Sequence, residues 1–143
     1  MMKNKYITIT GFKHYYGLQP FQIGNLILCK KEPQNPFDNE AICASLPILG
    51  TVGYVANSPN TVAGGTMSAG RIYDHVKTHF YARVLFTTLT KVICKIEFGP
   101  YKEYEAKMKS QLLKEYDHWQ KKRITRLNEL KIFYFLCTLH IMR

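Results

Sequence analysis

Apolar and polar positions fall into two regimes along the chain. Up to residue 98, short β-branched and aromatic runs alternate with turn residues; beyond Gly99-Pro100, apolar residues recur every three or four positions. Tyr6-Ile7-Thr8-Ile9-Thr10 predicts a first strand ending at Gly11. Asn25–Cys29 reads as a buried second strand, Ala41–Ala44 as a third and Thr51–Val55 as a fourth, with Pro47 and Gly50 marking the hairpin between the last two. Phe80–Thr87 and Lys91–Phe98 form a further hairpin pair about Thr88-Leu89-Thr90. Between these blocks, Ser58-Pro59 is the expected start of a short helix, because serine caps and proline is tolerated in the first turn. Several short strands closely spaced by turns predict a mainly β chain, a small OB-like or SH3-like barrel of about six strands.

After Pro100 the stripe Tyr101, Tyr104, Met108, Leu112, Tyr116, Trp119, Leu127, Leu130, Tyr134 and Cys137 defines one face of a long helix or helical hairpin. Arg123 fills one expected apolar slot, and Lys107, Lys109, Lys114, Lys121 and Lys122 lie off the stripe. The division is therefore a barrel over residues 5–98 and an amphipathic helical extension over 100–143. Such a face packs on the barrel, on a partner protein or on a second copy, or it lies on nucleic acid or membrane. The first three are favoured, since apolar stripes at helical spacing usually meet protein.

The 143 residues suit one domain with an appendage, and 46% hydrophobic residues exclude a disordered chain. The net charge of +10 favours an anionic partner. It divides evenly, with ten Lys/Arg against five acids in residues 1–99 and the same in 100–143. The second share suits a solvated helix; the informative excess sits on the β-rich part.

Cys29, Cys43, Cys94 and Cys137 show neither Cys-x-x-Cys nor zinc spacing and are expected to be buried free thiols. No secretory apolar stretch follows Met1, and Ile132–Ile141 is too short to span a bilayer, so the expected location is cytoplasmic. There is no P-loop, G-x-S-x-G, dinucleotide fingerprint or H-E-x-x-H. His75 and His79 stand four apart in a strand-like context with no acidic third ligand, which argues against metal. No enzyme activity, cofactor or metal is expected.

Two segments carry candidate chemistry. Gly11-Phe12-Lys13-His14-Tyr15-Tyr16-Gly17 places a cation among aromatics on a loop, where a base can stack while the cation meets a phosphate. Glu32-Pro33-Gln34-Asn35-Pro36-Phe37-Asp38-Asn39 is a turn in which the Asp38 carboxylate either accepts from a hydroxyl or caps the turn. In this order, and followed by Ala41-Ile42 and Thr51-Val52-Gly53-Tyr54-Val55, these segments resemble the HIRAN domain family over about residues 5–98.

The resemblance implies an OB-like barrel that binds single-stranded DNA and captures its free 3′ end. It puts Lys13, His14 and Tyr15 at the family's Arg-Tyr-Tyr positions; a register one residue later uses Tyr15 and Tyr16. Phe37 and Asp38 fall where the family holds the terminal nucleotide, with Asp38 accepting from the 3′-hydroxyl. Tyr54 and Asn57 fall where the fourth strand and following turn reach a phosphate. Lys13 in place of Arg gives a point charge without bidentate geometry, and His14 is a smaller stacking surface than Tyr. The implied function is single-stranded DNA binding in repair or replication. The alternative is a protein-interaction or oligomerisation module, acting through the C-terminal helix, with incidental DNA binding.

Overall fold

The computed structural model describes residues 4–122 and 131–137. Six strands form a closed antiparallel barrel: β1 (Tyr6–Thr10), β2 (Leu26–Lys31), β3 (Ile42–Leu46), β4 (Gly50–Val55), β5 (His79–Thr87) and β6 (Val92–Glu97). Their order around the barrel is β1-β4-β3-β2-β5-β6, with β6 pairing back to β1. The expected strands therefore all form, and closure leaves no open sheet edge. The described residues also form α1 (Ala69–Ile72), α2 (Tyr101–Lys122), single turns at Phe12–His14 and Tyr73–His75, and a helical segment at 131–137.

Period-2 patterning sends Ile7 and Ile9 of β1, Ile42 and Ala44 of β3 and Val84 of β5 into one fully buried core. Thr8, on the opposite face of β1, is also fully buried. Residues 61–69 lie over it: its Oγ1 is 2.7 Å from the Thr66 hydroxyl and accepts from the Ala63 N–H. The covering segment is fixed further by a parallel bridge between Ile7 and Met67.

The short helix is displaced from its expected start. Ser58 instead closes a turn, its carbonyl accepting from the N–H groups of Thr61 and Val62. The helix begins ten residues later, where the Ser68 hydroxyl accepts from the Arg71 N–H. Burial decides the matter, because Ala69 and Ile72, three apart, both enter the core.

The first half of α2 packs on the barrel. Met108 and Leu112 are buried in the same core cluster as the strands, and Tyr101 and Tyr104 set their rings 5.4 and 5.9 Å from that of Tyr81. The Gln111 amide takes the place of a strand neighbour for Leu26, accepting from its N–H at 2.6 Å and donating to its carbonyl at 3.2 Å. In the helical segment 131–137, Ile132 is buried and Phe135 packs against the core, whereas Cys137 is exposed, unlike the other three thiols. The stripe positions Trp119, Leu127 and Leu130, the off-stripe Lys121, Lys122 and Arg123, and residues 138–141 lie outside the residues whose side chains are described.

Glu115 accepts from the Asn25 side-chain amide at 2.8 Å. Burial pushes its carboxyl above the usual range, and the Asn25 bond only partly opposes this. A raised folded-state pKa means the folded chain holds its proton more tightly than the unfolded chain. This contribution is present at acid pH and is lost as pH rises through the folded value. Glu115→Gln keeps the acceptor without the charge and is expected to raise Tm at pH 7, with the gain fading towards pH 4, as followed by thermal melts across that range.

Candidate nucleic-acid interface

The first candidate loop is pinned at its start. Gly11 adopts φ 73°, a left-handed conformation that costs glycine little. The single turn after it, Phe12–His14, inserts Phe12 into the core, where its ring meets Phe21 edge-on at 5.9 Å. Phe12 thus anchors the loop, and Lys13, His14, Tyr15 and Tyr16 are left exposed around it. The two tyrosines differ. Tyr15 lies close enough to Tyr54 to act electrostatically on its hydroxyl. Tyr16 carries Lys131 of the 131–137 segment over its ring, 5.7 Å from the centroid. The C-terminal segment therefore brings a cation to the loop and occupies one tyrosine face.

The second candidate segment is a turn built by its own polar groups. The Glu32 N–H donates to the Ala41 carbonyl at 2.8 Å, extending the β2–β3 pairing to the neck of the turn. The Asn35 side-chain oxygen accepts from the N–H groups of Phe37 and Asp38, at 3.0 and 3.2 Å, and its amide donates to Glu32. Pro33 and Pro36 fix φ on either side. Held this way, the Phe37 ring is 96% exposed.

The Asp38 carboxylate is half-buried next to it, and its two oxygens take different partners. Oδ1 accepts from the Glu40 N–H at 2.9 Å and Oδ2 from the Asn57 amide at 2.9 Å. Asn57 in turn accepts from the Gly70 N–H at 2.8 Å, tying the turn to α1. A carboxylate offers about four lone-pair sites, so acceptor capacity remains on Asp38 after these two bonds.

Tyr54 donates to Glu32, at 3.0 Å to one carboxylate oxygen and 3.3 Å to the other. Burial first, and the Glu32 bond second, push its hydroxyl well above the usual range, so it stays a donor. Of the eight candidate residues, the fold thus joins Asp38 directly to Asn57 and sets Tyr15 beside Tyr54. Glu32 and Asn35 connect Tyr54 to the Phe37–Asp38 turn. Lys13 and His14 stand out in solvent, and Tyr54 and Asn57 spend their polar groups on neighbouring residues.

Glu32, Asn35, Glu40 and Gly70 were not among the candidates, nor was Arg71, an exposed cation directly after Gly70. Asn35 had a signal: asparagine between two prolines is a turn-forming residue whose side chain bonds the backbone two residues on. The others acquire their places only through folding.

Among the described residues no group of three or more His, Cys, Asp or Glu could hold a metal ion, and no helix is long and apolar enough to cross a membrane. No family model, curated protein or solved structure matches the chain. What fold and geometry define is a closed six-stranded antiparallel barrel that displays aromatic rings and a carboxylate on two tethered loops.

Proposed function

We propose that this chain is a non-enzymatic module that binds single-stranded DNA and prefers a free 3′-hydroxyl end, serving repair or replication-associated processes in the cytoplasm. One observation carries the reading: a phenylalanine ring held almost wholly in solvent by a hydrogen-bonded turn, beside an acceptor-only carboxylate. Exposing such a ring forgoes the gain from burying it, about 1.5–3 kcal/mol, and a rigid exposed aromatic suits base stacking. The resemblance to the HIRAN family in the same segments supports the same assignment. In this reading the terminal base stacks on Phe37, the next on Tyr15, Lys13 meets a phosphate and Asp38 accepts from the 3′-hydroxyl.

Phe37→Ala is expected to leave the melting temperature unchanged and to weaken binding of an oligothymidylate by about 1–3 kcal/mol, the usual worth of one stacked base. Fluorescence anisotropy with a labelled strand measures it. Unchanged affinity in a folded variant would remove Phe37 from the site.

A second reading has its own observation. Phe133 and Tyr134 are 62% and 73% exposed on the 131–137 segment, which suits docking on a protein partner or a second copy. Under that reading a Phe133→Ser/Tyr134→Ser variant changes the mass in solution by sedimentation, while Phe37→Ala changes nothing.

A further inference from the structure

The start of α2 does not close completely over the barrel. A cleft of about 200 Å³ remains between it and the segment that enters β5. Its walls include His75, Lys77, His79, Phe98, Tyr101 and Tyr104. Sites for drug-sized ligands run to roughly 300–1,000 Å³, so this one suits a single planar ring. Phe98 and Tyr101 are about half-exposed at its rim, and three basic side chains stand on one wall. Among the described residues its one acid, Glu97, is already engaged by the Arg83 guanidinium at 2.8 Å and by the Tyr104 hydroxyl. Burial, then Glu97, pushes the Tyr104 hydroxyl up, so it stays protonated. His75, Lys77 and His79 make no ion pair among the described residues.

The sheet register places this cleft relative to the Phe37 turn. His79 pairs with Lys30, Lys30 with Cys43, Cys43 with Tyr54 and Tyr54 with Thr10. Directly opposed residues share a face, so these five form one row across the outside of the barrel. From Tyr54 to His79 is three strand spacings, roughly 14 Å, with the exposed Lys30 between them. At the stacked rise of about 3.4 Å per nucleotide, that is no more than about four nucleotides. Lys31, the next residue of β2, pairs with the core residue Ile42 and so leaves the opposite face of the sheet, with its Nζ 4.6 Å from the Tyr73 ring centroid.

From this juxtaposition we infer that the cleft is a second nucleotide site, taking one base against Phe98 and Tyr101 and its phosphate on Lys77 and His79, a few nucleotides 5′ of the terminal one. The inference rests on the reading of the Phe37 turn as the end-binding site. It adds a direction: the strand crosses the barrel along the Tyr54–Lys30–His79 row.

The test compares a thymidine dinucleotide with an oligothymidylate of about eight nucleotides, within the ~4–16-nucleotide sites of OB-type barrels. Binding is followed by amide chemical shifts of the full chain. The longer strand is expected to bind at least about tenfold tighter, the order of one stacked base. It alone should shift amides at 76–80 and those of Phe98, Gly99 and Tyr101. Lys77→Ala/His79→Ala alters only exposed side chains and should remove the length-dependent gain while leaving dinucleotide affinity unchanged. A gain that survives in the double variant, or a longer strand that binds no tighter or leaves those amides unmoved, overturns the cleft assignment alone. Phe37→Ala weakening the dinucleotide in the same titrations keeps the end-site reading separate. No binding of either strand overturns both.

Discussion

Met108→Ala is expected to destabilise the whole protein by about 2–5 kcal/mol, the range for deleting a buried methionine or leucine side chain. The expectation is of global unfolding at lower denaturant, because Met108 and Leu112 of α2 belong to the same buried cluster as Ile27, Phe80 and Val84 of the barrel. The Gln111 amide, bonded to both backbone groups of Leu26, reinforces that unity. A helix that merely rested on the barrel would give a two-step urea melt, with the barrel transition unmoved. A single transition shifted for both far-ultraviolet and tyrosine signals is the predicted result. The same reasoning forbids trimming the chain at Pro100 to obtain a barrel for binding studies.

Gly53→Ala is the second large effect. Gly53 lies in β4 opposite Ala44, and a Cβ there would stand 2.8 Å from Ile9 Cγ2 and 2.8 Å from the Thr10 carbonyl oxygen of β1. A methyl of a core isoleucine has little room, and a strand carbonyl has less, so β1 and β4 must separate locally. Overpacking of this kind costs about 1–3 kcal/mol. The displacement would fall on the stretch that leads into the Lys13–Tyr16 loop and carries Tyr54. The variant should therefore lose both stability and oligonucleotide affinity, with affinity recovering little at low temperature. Melts and titrations on the same preparation check this, and a Gly53→Ala protein as stable as the parent would contradict the close approach of the two strands.

The strands were legible because a closed barrel repeats one instruction: alternate Ile, Val and Ala inward and stop at Gly or Pro. The helix was legible for the same reason at a different period through Met108 and Leu112, but at 131–137 the face that packs inward carries Ile132 and Phe135 rather than the expected Tyr134 and Cys137, which are exposed. Residues 57–70 were not, since nothing periodic distinguishes Ser58 from Ser68 as a helix start; only the burial of Ala69 and Ile72 does. Thr8 reads as a solvent-facing position until residues 61–69 cover it. At the candidate site, Phe37 and Asp38 stood out through their turn. The partnership of Asp38 with Asn57, nineteen residues away, and of Tyr54 with Glu32 depends on β3 and β4 bringing distant segments together. The cleft beneath α2 was invisible for the same reason: His75 and His79 signify little until Tyr101 and Tyr104 arrive beside them.

The strongest objection to an end-binding role is that Asp38 already has work to do in its own turn, capping Glu40 and holding Asn57. A cap is indifferent to what ends the DNA strand, whereas a hydroxyl acceptor is not. The most direct measurement is therefore a titration with two oligonucleotides of identical sequence, one ending in a 3′-hydroxyl and one in a 3′-phosphate, at two salt concentrations. The hydroxyl strand is expected to bind about tenfold or more tighter at both, because the phosphate sets a second anion against the Asp38 carboxylate. Equal affinities that fall together steeply with salt would mean generic attraction of a basic protein for a polyanion, and would contradict the end-binding role.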